Sequence, residues 1–197
     1  MAAGQQHRDV ERFNKWSERY DRSFLRAFFT RVHRRILEEA ATHQPHPESI
    51  LDVGCGTGRL LRAASARWPG ARLTGVDPAV GMVGVARRTT PGAVFHLGRA
   101  ESLPVPDAWF DVVLTSLSFH HWTDQTAGLR EITRALRGGG FFYLADVIAP
   151  RWLATASRSR IQSRAGLQRL FAGAGLRVET QSALFTNFVV LTVGVRR

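Results

Sequence analysis

Apolar residues recur along this chain in two rhythms. In the first part they fall every three or four positions: Val10, Phe13, Trp16 and Tyr20, then Phe24, Phe28, Val32 and Ile36. That spacing lines one face of a helix. Asp21 stands where it can cap the second stretch, so residues 8–42 predict two helices rather than one. Thr42–Ser49 contains Pro45 and Pro47 and reads as a loop. From there short β-rich runs alternate with helical stretches. Strands are predicted at "SILDVG", "RLTGVD", "AVFHLG", "FDVVLTSLS" and "FFYLADVI". Between them lie helical patterns at "RLLRAASARW", "AVGMVGVARRT" and "TDQTAGLREITRALRGGG", the last with Leu129, Ile132 and Leu136 inward and a stop at Gly138–Gly140. A further helix, "SRAGLQRLFAGAGL", ends at Gly175, and "RVETQSALF" with "FVVLTVGVRR" predicts a closing antiparallel pair joined near Thr186 and Asn187. Strands alternating with helices imply an α/β fold: a doubly wound, mostly parallel sheet of seven strands with an antiparallel C-terminal hairpin.

Composition narrows this little. At 197 residues, 44% of them apolar and 22% charged, the chain reads as one globular domain. Its longest apolar runs fall short of the ~20 residues that span a bilayer. The start, "MAAGQQHRDVERF", lacks the apolar centre of a signal peptide, and one cysteine rules out an internal disulfide framework, so a cytoplasmic location is expected. Charge adds more. The formal net charge is +11, and Lys15 is the only lysine among 27 basic residues. Residues 151–197 carry Arg151, Arg158, Arg160, Arg164, Arg169, Arg177, Arg196 and Arg197 against Glu179 alone. Such a face suits an anionic small acceptor, a nucleic acid or a membrane surface, or is simply solvated.

The stretch with chemistry in it is "LDVGCGTGRLL", residues 51–61. It occupies the first strand-to-helix turn, where open α/β sheets bind ligands. Asp52 is followed by Gly54, Gly56 and Gly58. A dinucleotide fingerprint needs G-x-G-x-x-G, but counting from Gly54 ends on Arg59 and counting from Gly56 ends on Leu61. A P-loop needs a lysine after its last glycine, and none is present in this region. Asp52 would also repel a pyrophosphate, whereas it would attract a cationic ligand.

"LDVGCGTG" resembles the first motif of the class I S-adenosylmethionine-dependent methyltransferases. "LTGVDPAVGMV" is similar to their second motif, "GRAESLPVPDAWFDVVLTSLSFHHW" to the third and fourth, and "LREITRALRGGGFFYLAD" to the helix, glycine turn and fifth strand that follow. The resemblance runs from about Ile50 to Asp146 and is nearest to the ubiquinone/menaquinone-biosynthesis type of small-molecule enzyme. It implies a Rossmann-like core at residues 48–197, a helical lid at 8–42 and S-adenosylmethionine as cofactor. It further implies that Asp52 and the backbone of Gly54, Cys55, Gly56 and Gly58 hold the methionine end. Asp77 would meet the ribose hydroxyls, Pro78 and Met82 would flank the adenine, and Ala100 and Glu101 would sit in the adenine loop. Thr115, with Ser116 and Leu117, would end the fourth strand beneath the sulfonium, and Tyr20 would reach down from the lid.

Arg99 departs from this pattern, because the family usually places an aspartate there to accept from the adenine amine, and arginine has only donors. His120 and His121 are the candidates for a general base, with His120 expected to face inward; packing or capping the next helix is their competing role. Cys55 reads as a small packing residue. His43 and His46 flank Pro45 without an acid or cysteine to complete a metal set, so no metal is expected. The segment after the fifth strand, "VIAPRWLATASRSRIQSRAG", is short for a substrate-binding insertion. A small organic acceptor is therefore expected, with a phospholipid headgroup, RNA, or cofactor binding without methyl transfer as alternatives.

Overall fold

The computed structural model describes residues 10–15, 17, 26–148, 161–184 and 188–197. The fold is a single sheet with strand order β3-β2-β1-β4-β5-β7-β6. The strands are β1 (Ser49–Val53), β2 (Arg72–Asp77), β3 (Val94–Leu97), β4 (Phe110–Ser116), β5 (Leu136–Val147), β6 (Leu176–Leu184) and β7 (Val189–Arg196). β1 to β5 pair in parallel, and β7 runs antiparallel between β5 and β6. The helices are α1 (Arg26–His43), α2 (Arg59–Arg67), α3 (Val80–Thr89), α4 (Gln125–Ala135) and α5 (Arg164–Gly173).

The central strands lack hydrophobic alternation because both of their faces are covered. Ile50, Val112, Leu114 and Tyr143 join a core with Val32, Ile36 and Ala40 of α1 and Leu61 and Ala64 of α2. Their neighbours Leu51, Val113, Phe142 and Leu144 turn to the other face and pack with Leu129 and Ile132 of α4 and Leu167 and Phe171 of α5. Each strand thus feeds two cores, and sheet order places the reversal of direction between β1 and β4. The ends of those two strands form the crevice in which such folds bind ligands.

One boundary differs from the expectation. Gly138–Gly140 do not stop the fourth helix; α4 ends at Ala135, and β5 begins at Leu136 and runs through the glycines. Leu136 pairs with Phe110, and the register then shifts before Val112 pairs with Phe141. The glycines are taken up by this irregular stretch, a place where such residues are tolerated within a strand. The expected Asp21 cap and the Thr186–Asn187 junction lie outside the described residues, as do Tyr20 and Arg151, Arg158 and Arg160.

The bottom of the sheet is tied by Asp111, which is fully buried. Its Oδ2 accepts from the backbone N–H groups of Glu48 and Ser49 at 2.8 Å each and from Ser49 Oγ at 2.9 Å. The carboxylate also pairs with Arg137 of β5. Asp111→Ala orphans these donors and is expected to cost about 3 kcal/mol of stability in urea denaturation, whereas Asp111→Asn, which keeps an acceptor oxygen, should cost less.

Candidate functional site

Gly54, Gly56 and Gly58 all adopt positive φ, at 74°, 52° and 78°. Two of them have identifiable reasons. A Cβ on Gly54 would collide with Ser118 Oγ, so the glycine lets the loop after β4 close on the turn after β1. Gly58 caps α2 in the left-handed region, and a Cβ there would meet Thr90 Oγ1 at 2.9 Å. The turn is fastened to β2: the N–H groups of Gly54 and Cys55 donate to Val76 O at 2.8 and 3.1 Å. Asp77 completes the clasp. Its Oδ2 accepts from Gly56 N at 2.9 Å and its Oδ1 from Ala79 N at 2.8 Å.

A cleft with a cavity volume of about 100 Å³ opens above this turn. Gly54, Gly56, Asp77, Pro78 and Met82 line one side, Gly98–Glu101 the floor, and Ser116, Leu117, Ser118, His121 and Trp122 the other. Val10 and Phe13 close it from the N-terminal segment. That segment is helical over residues 10–15 and is held to α3 by a bond from Gly81 N to Asn14 Oδ1 at 2.9 Å. Leu117 has a φ of 53°, a left-handed conformation rare for a branched side chain, and it sits on the cleft wall.

A smaller hollow lies on the far side of the glycine turn. Asp52, Cys55, Thr57, Leu60, Phe29, His33 and Arg59 line it, and Gly54, Gly56 and Ser116 belong to both spaces. The glycine turn and Ser116 thus stand between the two spaces. The side chains of Phe29, His33 and Arg59 carry no motif signal, since α1 and the start of α2 read only as amphipathic helix. Arg59 lies over the Phe29 ring at 5.8 Å and donates to Thr30 Oγ1 at 3.1 Å.

The electrostatics at this turn are unusual for a basic chain. Burial, with Asp77 as a neighbouring charge, pushes the Asp52 carboxyl up to about 8. Asp77 is raised to about 6 by burial, against the opposing effect of its two backbone hydrogen bonds. The Cys55 thiol is pushed well above its ordinary value by the same burial and the two acids, which keeps it an inert packing group. His33 is lowered to about 3 by burial, then by Arg59 and Arg62, so it is neutral at physiological pH. Asp77 is ionised at neutral pH and Asp52 ionises once a positive charge lies beside it, so the space suits a cation rather than a phosphate.

Some predicted residues lie elsewhere than expected. Thr115 sits behind the wall, its hydroxyl bonded to Val53 O at 2.7 Å. Its neighbour Ser116 lines the cleft instead, with Oγ buried and without a hydrogen-bond partner. Gly58 acts in helix packing, behind the lining. His120 does not face the cleft: its Nδ1 lies 2.6 Å from Asp146 Oδ1, and its backbone N–H donates to Asp146 Oδ2 at 3.2 Å. A carboxylate only accepts, so Nδ1 carries the proton. His121 is the histidine on the cleft wall, 5.4 Å from the Phe13 ring and 4.0 Å from the His120 ring. Both histidines stand on the three-residue turn Phe119–His121. Asp146, buried at the end of β5, had no signal beyond being the last acid of a strand.

Comparison with known proteins agrees with this geometry. Residues 51–144 match the methyltransferase domain family. The chain is 39% identical over 102 residues to a demethylmenaquinone methyltransferase of Chlorobaculum parvum, covering 52% of this chain and 42% of that one. It is 36% identical over 118 residues to a malonyl-[acyl-carrier protein] O-methyltransferase of Serratia marcescens, covering 60% and 45%. The chain thus spans about half the length of these curated relatives. Over nearly the whole fold it is similar to the protein solved in complex with the Haloferax volcanii Trm112 methyltransferase activator, with a TM-score of 0.76, 25% identity, and coverage of 93% and 96%. A glycine turn clasped by an acid and these likenesses converge: residues 51–144 form a methyltransferase domain of the class I S-adenosylmethionine-dependent kind.

Proposed function

We propose that this chain moves the methyl group of S-adenosylmethionine to a small organic acceptor entering beside His121. The observation that carries the reading is the pair of buried acids, Asp52 and Asp77, at the glycine turn between the cleft and the smaller hollow. When bound, the cofactor supplies an electrophilic methyl group on a sulfonium, reactive to in-line displacement. The residues present fit it. Asp52 and the backbone of the turn suit the ammonium, and Arg59 suits the carboxylate through charge-assisted hydrogen bonds. Asp77 retains lone pairs for ribose hydroxyls after bonding Gly56 N and Ala79 N. Pro78 and Met82 offer apolar surface to a flat base.

The protein's part in transfer is positioning and exclusion of water. Val10 and Phe13 line the cleft from the N-terminal segment, and Leu117 and Ser118 line its wall. For an oxygen acceptor, His121 receives the proton as the new bond to carbon forms. A positive charge on His121 is offset by the nearby Asp146 carboxylate, which holds His120 with its ring against that of His121. His120 and Asp146 are therefore positioning residues in this scheme, and His121 alone touches the reacting groups.

The reading is tested by incubating the protein with S-adenosylmethionine and a panel of quinol, phenol, amine and thiol acceptors and measuring S-adenosylhomocysteine formation. No product with any acceptor, alongside tight cofactor binding, would leave a binding protein rather than an enzyme. With an oxygen acceptor, His121→Ala is expected to lower kcat by roughly 100-fold or more while the S-adenosylhomocysteine Kd stays within about twofold. His120→Ala and Asp146→Asn should cost less and move the pH profile. Wild-type turnover in all three variants would mean that proximity alone drives transfer.

Asp52 makes binding pH-dependent. Its folded-state value near 8 stands above the unfolded one, so its contribution to stability is full at low pH and falls as pH rises through 8. A cationic ligand favours the ionised form, so binding releases a proton below that value. S-adenosylhomocysteine affinity is expected to rise by up to about tenfold per unit from pH 6 to 8, while the melting temperature of the free protein falls. Asp52→Asn should flatten both trends in calorimetry and thermal melts; an unchanged slope would show that Asp52 does not face the ammonium.

A further inference from the structure

The short turn that carries His120 and His121 is fastened to its surroundings on several sides. Toward the glycine turn, Trp122 Nε1 donates to Ser118 Oγ at 3.2 Å, and that hydroxyl stands where a Cβ on Gly54 would be. Toward β5, Asp146 holds the backbone N–H and Nδ1 of His120. Within the turn, His121 N donates to Ser118 O at 2.9 Å and Trp122 N to Phe119 O at 3.1 Å. The Trp122 ring lies against α4, where a Cβ on Gly128 would collide with it.

A further bond comes from a side chain that no motif marks. Gln125 opens α4 and is buried. Its Nε2 donates to Phe119 O at 3.1 Å, the carbonyl that also receives Trp122 N. Its Oε1 accepts from Gln162 Nε2 at 2.7 Å. Gln162 stands just before α5, on the connection that follows β5. These two bonds run in one direction. A backbone carbonyl only accepts, so the NH2 group of Gln125 faces the turn. Its oxygen is left toward position 162, where a donor is required. The Gln162 amide therefore keeps the Gln125 amide from turning over and setting oxygen against the Phe119 carbonyl.

We propose that Gln125 is a positioning residue for methyl transfer: it sets the turn that presents His121 to the cleft, and the donor at position 162 sets the orientation of its amide. The inference rests on the reading of His121 as the group that receives the proton. Neither glutamine lines the cleft, so the pair acts on transfer through the turn. Transfer is sensitive to such placement, since a displacement of about 1 Å at a reacting group costs on the order of 100-fold. The connection after β5 thereby bears on the reaction without entering the cleft.

Polarity separates this role from packing. Gln162→Glu is isosteric but, ionised, only accepts; it draws the NH2 group of Gln125 to itself and turns the amide oxygen toward the Phe119 carbonyl. Gln162→Lys keeps a donor. The assay uses S-adenosylmethionine with the phenol or quinol that the acceptor panel shows to be methylated. Gln162→Glu is expected to lower kcat by about tenfold, with the S-adenosylhomocysteine Kd within about twofold, while Gln162→Lys stays within about threefold of wild type. Gln125→Leu, which deletes both bonds, should fall at least as far as Gln162→Glu; the Gln162 variants decide the matter if it fails to fold. Hydrogen exchange needs no acceptor. The Trp122 N–H shares Phe119 O, and it should exchange about tenfold faster in Gln162→Glu than in wild type or Gln162→Lys. The proposal is overturned if Gln162→Glu keeps wild-type kcat and exchange, if the glutamate and lysine variants fall equally, or if the loss appears in the cofactor Kd instead of kcat. No transfer by wild type, or full turnover by His121→Ala, would instead remove the reading of His121; Trp122 exchange then decides alone whether the amide pair sets the turn.

Discussion

The clasp that Asp77 makes across two turns organises the ligand end of this sheet. Its oxygens accept from Gly56 in the turn after β1 and from Ala79 in the turn after β2. Two loops that would otherwise carry orphaned N–H groups beside an open cleft are thus joined through one buried side chain. The three left-handed glycines can hold their geometry because of this bond, and the geometry in turn lets Ser118 close over Gly54. Removing the clasp would free the turn, the entry to α3 and the docking of the N-terminal segment at Gly81 together.

The same clasp explains why two carboxyl groups are tolerated in a dry space. Asp77 spends its charge on backbone dipoles and is raised only to about 6. Asp52 is raised further, to about 8, by burial and by the neighbouring Asp77. One acid is a structural fixture that still offers lone pairs, and the other is a charge waiting for a counter-ion. A sulfonium amino acid provides that counter-ion, and a phosphate does not. The net charge of +11 does not make this choice: among the described residues most arginines are exposed, where salt screens them.

What could be read in advance follows from how local the cause is. The glycine turn, the acid after β2 and the alternation of strands and helices are set by contacts within a few residues, and they stand at the predicted positions. Gly138–Gly140 misled because glycine stops helices by local conformation, yet here pairing with β4 draws the chain into a strand from Leu136. The two histidines misled for a similar reason. Only a buried acid 26 residues away, Asp146, turns His120 from the cleft and leaves His121 on its wall. Phe29, His33 and Arg59 were illegible as site residues because helical spacing marks which face packs, not what lies across the gap.

Arg99 shows how a departure from a family pattern should be weighed. Taken alone, a donor in the position of an acceptor weakens the adenine assignment. The loop fixed by Arg134 keeps Arg99, Ala100 and Glu101 along the cleft together, and Glu101 Oε1 is spent on the N–H groups of Thr123 and Asp124 at the start of α4. An arginine at position 99 therefore changes the chemistry that the loop presents, and leaves the place at which the loop stands to bonds made by other residues.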